Sequence, residues 1–473
     1  MYNSKLYTIL EQFDKYEQNR CRKYIASPYF NRSEELINLY DIFLKEINRK
    51  RPRKLNKDKV WKKIQPQKAY DDVRYRKYCS DLLKLVEGYL SQEVYESNIV
   101  DKKINLIEAV GKKKLEQLYG SSIRSAKNTT EKRQERSANF YLKNYELESK
   151  SYDLAENTHQ RTIKKNIDSL NHNLDIFYIT EKLRFYCSAL NYKLAAEQDF
   201  NVLFIEEILE QVREKDFIEI PIIAVYYHTY LTQDQENEEH HYYKLKGLLE
   251  SHALEFPQLE AMNVYVYAIN YCARKINKGN QLFLKEIFDL YEDLINKQII
   301  FVNGELSPWN FKNIVVVALR LGKYEWTEKF IKKYSERLPE AFRNNAITYN
   351  LAQVYFYQKQ HDKVIEQLRN VEYEDVAYNL GSKAMLLATY YETDEIEPLY
   401  SLFESFRAYL NRHKDIPYNR RQNYSNLIKF TKKLTRTMPG DAKALEKLKT
   451  EIKSTRNIAS VKWLKEKIAE LEG

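Results

Sequence analysis

Glycine and proline are both scarce, ten of each in 473 residues, and no two glycines lie within eight residues of one another. Phosphate-cradling loops, dinucleotide fingerprints and nucleophile elbows need tight turns that closely spaced glycines provide, so the ordinary nucleotide-binding and serine-hydrolase motifs are excluded. Cysteine is nearly as rare. Cys21, Cys79, Cys187 and Cys272 are far apart and form no C-x-x-C pair, which removes the usual zinc and redox spacings and favours a reducing, cytoplasmic setting. Long apolar runs are missing too. The best, Ile218 to Leu231, is broken by Glu219, Pro221 and His228 and is too short to span a bilayer. The first twenty residues are charged and amphipathic and lack the apolar core and cleavage site of a signal peptide. No membrane partner and no cofactor is expected.

What remains is helix composition with an unusual aromatic load, 40 tyrosines among 473 residues. Tyrosine offers large apolar area with a polar tip, suited to partly wet seams between helices. Charge is unevenly distributed. Residues 1–44 are balanced, 45–136 carry 25 basic against 13 acidic residues, 412–473 carry 16 against 7, and the stretch between is acidic, within a net charge of +10. Basic ends on an acidic body imply a patterned surface rather than a chain that coats nucleic acid throughout.

Between Phe311 and Tyr409 an internal repeat emerges. Ala318, Thr327, Ile331 and Tyr334 recur 37 residues later as Tyr355, Val364, Leu368 and Val371, and 35 further on as Tyr390, Leu399, Phe403 and Phe406. Periods of this length mark stacked helical hairpins, each burying its apolar face only against its neighbours. Phe311 as the large residue opening the first helix, Ile314, the Gly322-Lys323-Tyr324 turn and the closing Pro339 resemble the tetratricopeptide (TPR) motif, and Leu351, Ala352 and Tyr355 match it in the second copy. The family's small positions in the second helix hold Thr327, Val364 and Leu399, then Tyr334, Val371 and Phe406, so the repeats are degenerate and are expected to pack more loosely or at altered angles. The whole chain is also similar to Tyr/Asn/Lys-rich helical-repeat proteins of Bacteroidota, a resemblance that carries no activity.

These resemblances imply an all-α fold, a right-handed α-solenoid of TPR-like hairpins with a basic helical N-terminal domain. The expected divisions are 1–136 for the basic head, 137–306 for a degenerate hairpin array, 307–411 for the clearest repeats and 412–473 for a basic cap. TPR proteins line their ligand groove mainly from the first helix of each hairpin. The mapped positions are Lys312, Val316, Leu319 and Arg320, then Tyr349, Gln353 and Phe356, then Ala388 and Tyr391. They imply an aromatic and basic trough for an extended or helical peptide, hence a non-catalytic scaffold with a protein or peptide partner. The family's clamp for chaperone C-termini is rejected. Lys312 and Asn350 match two of its polar positions, but Val316, Gly381 and Met385 replace the other three.

In the head, periodicity predicts helices over 4–25, from Ser33 as N-cap, around Trp61, and from Val73 to Glu93 with a Tyr78, Leu82, Leu85, Tyr89 stripe. Helical pattern then continues from Lys102 to Ala155 with a break at Lys127–Glu131. The pair of basic helices faintly resembles bacterial winged-helix DNA-binding modules, although no wing strands follow Glu93. Arg74, Lys77 and Lys84 share the face opposite the stripe, so residues 45–136 read either as a phosphate-contacting surface or as a plain solvated basic face. Paired tyrosines such as Tyr226-Tyr227 and Tyr390-Tyr391 read as core or as stacking surfaces. His240-His241 behind Glu238-Glu239 is set aside as a metal site, because successive helical side chains diverge by about 100° and no known ligand spacing supports it. His159, His172, His228 and His361 are isolated in sequence.

Overall fold

The computed structural model describes residues 4–49, 56–157, 166–196, 200–214, 216–369 and 376–472. Val371 and His159 lie outside them. Among the described residues the chain is all-helical apart from one two-stranded hairpin. It divides into two compact units, Met1–Glu181 and Lys182–Gly473.

The first unit begins with α1 (Lys5–Glu11) and α2 (Lys15–Ile25). A single helix over 4–25 is therefore interrupted, and the cause is local. Asp14 accepts from the Glu17 amide at 2.7 Å while the Glu17 carboxylate accepts from the Asp14 amide at 2.8 Å, a capping box that starts a new helix inside a continuous apolar stripe. α3 (Glu34–Ile47), α4 (Lys57–Ile64) and α5 (Asp72–Ser97) follow, the last two capped by Asn56 and Asp71. Ser33 precedes α3, but its hydroxyl donates to Glu35 and does not cap the helix amides. These five helices enclose one core around Leu10, Leu39, Tyr40, Phe43, Trp61 and Leu82.

α6 (Ile99–Lys112), α7 (Glu116–Glu131) and α8 (Ala138–Asn157) pack on one another around a second core that includes Val100, Ile107, Ala126 and Leu147. The breaks fall at 113–115 and 132–137, so Lys127–Glu131 remains helical. This three-helix core spans residue 136, where the charge changes sign. Packing there joins what composition separates. α9 (Asn166–Ala196) contains the boundary between the units.

In the second unit α10 (Ile205–Glu214), α11 (Pro221–Asp234), α12 (Glu239–His252), α13 (Gln258–Asn277) and α14 (Phe283–Asn296) lead to the hairpin β1 (Phe301–Val302) and β2 (Glu305–Leu306). Its turn is Asn303-Gly304, with φ of 52° and 80°, the two left-handed residues that a tight hairpin requires. Then come α15 (Pro308–Arg320), α16 (Tyr324–Tyr334), α17 (Glu340–Tyr357), α18 (His361–Leu368), α19 (Val376–Glu392), α20 (Ile396–Arg412), α21 (Tyr418–Leu434), α22 (Ala442–Ser454) and α23 (Val461–Glu472). Asp441 caps α22 through the Ala444 amide at 3.0 Å.

From α15 to α20 consecutive helices pair as hairpins, and the first helices also touch in sequence: α15 packs on α17, α17 on α19 and α19 on α21. The turns repeat as well. Gly322, Lys359 and Asp394 all have left-handed φ, of 72°, 58° and 55°. The amides that follow them return to Ala318, Tyr355 and Tyr390 carbonyls at 3.0, 2.9 and 3.0 Å. These are the same three positions at which the sequence repeat aligns, and the bond is the 6→1 closure of a Schellman cap. Of the described second-helix positions of the repeat, Thr327, Ile331, Val364, Leu368, Leu399, Phe403 and Phe406 are buried and Tyr334 is half-buried.

Tyrosine is used more deeply than composition suggests. Tyr226, Tyr242, Tyr265 and Tyr271 are buried whole, and each hydroxyl donates across to a neighbouring element: Tyr226 to Glu260 at 2.9 Å, Tyr242 to Glu286 at 3.0 Å, Tyr271 to the Glu236 carbonyl at 3.1 Å, and Tyr265 to Asp293. Burial pushes all four phenols well above their ordinary range, so they act as fixed donors that set helix register.

Candidate ligand groove

The nine positions mapped onto the groove stand on α15, α17 and α19, and six of them, Lys312, Arg320, Tyr349, Gln353, Phe356 and Tyr391, fall into two groups. Lys312, Tyr349 and Gln353 form one. The Lys312 ammonium lies 5.2 Å from the Tyr349 ring centre and 5.7 Å from that of Tyr378. The two rings meet edge to face at 5.1 Å, and Gln353 Nε2 donates to the Tyr349 hydroxyl at 3.0 Å. Gly381 lets α19 come this close, since a Cβ there would collide with the Tyr349 hydroxyl and lie 2.9 Å from two ring carbons. Tyr349 is only 4 % exposed, so its area is spent on packing successive hairpins, while Lys312 and Gln353 are half-buried.

Arg320, Phe356 and Tyr391 form the other, one at the C-terminal end of each first helix. Arg320 is exposed and donates to Gln281 at 3.1 Å. Phe356 is half-buried beside His361. Tyr391 is half-buried and meets the Trp463 ring edge-on at 5.5 Å. Trp463 belongs to α23, and its indole donates to Glu392 at 2.8 Å. Lys467 of the same helix, 8 % exposed, reaches Glu392 at 2.7 Å and Glu470 at 2.8 Å. Against the burial that opposes it, the bonds from Lys467 and Trp463 hold the Glu392 carboxyl below its usual range. The last helix thus flanks the row at Tyr391, a contact that no spacing in the sequence announces.

A cleft of about 570 Å³ opens between α18, α19 and α20, with Arg369, Ser382, Lys383, Ser401 and Ser405 in its wall. Its polarity comes from single residues on three helices, which is why no motif predicts it. Polar atoms on α17 and α19, among them Arg343 Nε, Asn350 Oδ1, Gln353 Oε1 and Ser382 Oγ, are buried without a hydrogen-bond partner among the described residues.

In the first unit Arg74, Lys77 and Lys84 are all exposed on α5, while Tyr75, Leu82 and Tyr89 face the core. Lys84 lies 3.9 Å from Asp81. Asp72 ties down Arg76 at 2.7 Å and Lys57 at 3.0 Å. Among the described residues no carboxylate lies within 4.0 Å of Arg74 or Lys77. No wing follows: α5 passes through Asn98 directly into α6.

The histidines behave differently from the sequence expectation. His240 and His241 stand in the first turn of α12 with ring centres 3.8 Å apart and planes tilted by 44°, and the Glu238 carboxylate reaches both. Side-chain torsions overcome the angular divergence of their Cα–Cβ bonds. Comparison with protein-family models, curated proteins and solved structures finds no match to this chain.

Proposed function

We propose that this chain is a non-catalytic interaction scaffold, a right-handed superhelical array of degenerate TPR-like hairpins that holds a partner peptide or helix along its first helices. The observation that carries the reading is that Arg320, Phe356 and Tyr391 stand at the C-terminal ends of α15, α17 and α19, first helices packed one on the next, with Phe356 and Tyr391 at the same position of the repeat and Arg320 one residue beyond it. A cation followed by two partly covered aromatic rings suits a peptide with acidic and apolar side chains. The test is a photo-cross-linking residue at position 356. Labelling of one discrete protein, competed by excess unlabelled chain, supports the groove, and labelling that competition does not reduce opposes it.

A second reading rests on Arg74 and Lys77, exposed cations with no ion-pair partner among the described residues: a nucleic-acid-associated regulator using residues 45–136. It predicts binding to duplex or single-stranded nucleic acid that falls steeply with salt and weakens when Arg74, Lys77 and Lys84 are made neutral. Salt-independent or absent binding removes it.

A further inference from the structure

The densest set of metal-ligating side chains among the described residues lies away from the groove, where α11 meets α12. Glu238 precedes α12, His240 and His241 open it, and His228 projects from α11, which packs along α12. Glu238 Oε2 stands 3.7 Å from His240 Nδ1 and 3.6 Å from His241 Nε2, and one donor atom from each of the three falls within 4.8 Å of the others. Ligands held at about 2.0–2.1 Å around a tetrahedral ion are roughly 3.3–3.4 Å apart. Two edges of this triangle are therefore within a few tenths of an ångström of that spacing. His240 and Glu238, both exposed, are free to close the third.

His228 supplies the independent sign. It is 7 % exposed, its ring centre is 5.5 Å from that of His241, and its Nδ1 is fully buried with no hydrogen-bond partner. His241 Nδ1 is buried and unpartnered in the same way. An orphaned buried polar group costs about 1–3 kcal/mol, so the unpaired His228 nitrogen marks a polar pocket beside the cluster. Lys244 repels a cation, and the Glu238 carboxylate offsets it.

We propose that Glu238, His240 and His241, with the buried His228 behind them, form a binding site for a late first-row divalent metal ion, with zinc the best fit to an imidazole and carboxylate donor set. The three donors lie together at the start of α12, so the ion would fix that helix end.

The test uses the full chain without an affinity tag of histidines, stripped with chelator and titrated with Zn²⁺ by calorimetry, with Co²⁺ as a spectroscopic probe. The expected result is one equivalent of Zn²⁺ bound, visible Co²⁺ absorption of the tetrahedral type, and a rise in melting temperature on adding Zn²⁺. His240→Ala is expected to weaken Zn²⁺ at least 10-fold and His240→Ala/His241→Ala to abolish stoichiometric uptake, while His413→Ala, at a half-buried residue elsewhere, leaves uptake unchanged. Absence of stoichiometric uptake, or uptake indifferent to His240 and His241, overturns the proposal and leaves a water bridging the buried nitrogens.

Discussion

At the scale of residues, His228 and Gly381 make opposite kinds of commitment. Burial, together with His241, Lys244 and His240, pushes the His228 imidazole down from 6.5 to about 4. The unfolded chain then takes up a proton near pH 6.5 that the folded chain accepts only near pH 4. Stability from this group is complete above about pH 6.5, declines as pH falls through that interval, and is lost below 4, by about 3 kcal/mol. Urea melts in chelator at pH 7.5 and pH 5 are expected to show wild type weakening on acidification and His228→Gln weakening less. Equal slopes would refute the assignment. Gly381 lies inside α19, where alanine ordinarily gains up to about 1 kcal/mol. Here the Tyr349 ring opposes the added carbon, so Gly381→Ala is expected to lose about 1–3 kcal/mol. Gly120→Ala in α7, with nothing within 4 Å of its Cβ, is expected to gain a few tenths to about 1 kcal/mol. Matched thermal melts compare the two.

At the scale of elements, the hairpin turn is the informative unit. Gly322, Lys359 and Asp394 occupy one left-handed position in three successive turns, but only the first has the residue that adopts it without cost. Gly322→Ala is expected to destabilise by about 1 kcal/mol and Lys359→Gly to stabilise by up to about 1 kcal/mol, read from denaturant midpoints. These turns also explain how far the helices were legible. The 37- and 35-residue spacings pick out the carbonyls that close each cap, because the repeat in burial and the repeat in turn share one register. Elsewhere local chemistry overrode periodicity. The Asp14–Glu17 box divided a stripe that looked continuous, and the Lys127–Glu131 break fell one step late because Lys132 ends the helix. The Asn303-Gly304 hairpin had a visible dipeptide signal, but its strands are two residues long, too short for alternation to register. α23 against Tyr391 was illegible, since Trp463 and Glu392 are 71 residues apart.

At the scale of the whole molecule, no described helix is long and apolar enough to cross a membrane, and the four cysteines are free thiols. Charge and packing give different divisions. The basic-to-acidic change at 136 falls inside the three-helix core of α6 to α8, because charge is a surface property that cores do not constrain. The site was legible only by position. Sequence placed Lys312, Arg320, Tyr349, Gln353, Phe356 and Tyr391 on three consecutive first helices. It had no means of showing that Tyr349 is consumed by packing against Gly381, or that His228 lies beside His241, since both depend on contacts between helices. The groove reading therefore rests on Arg320, Phe356 and Tyr391. The measurement that bears on it most directly is quantitative capture from nuclease-treated lysate by wild type and by Arg320→Glu/Phe356→Ala, after matched melts confirm that both are folded. The account predicts one defined protein, retained through nuclease and reduced at least 10-fold by the double substitution. Recovery of the same proteins in equal amounts by both, or of material that nuclease removes, would contradict it.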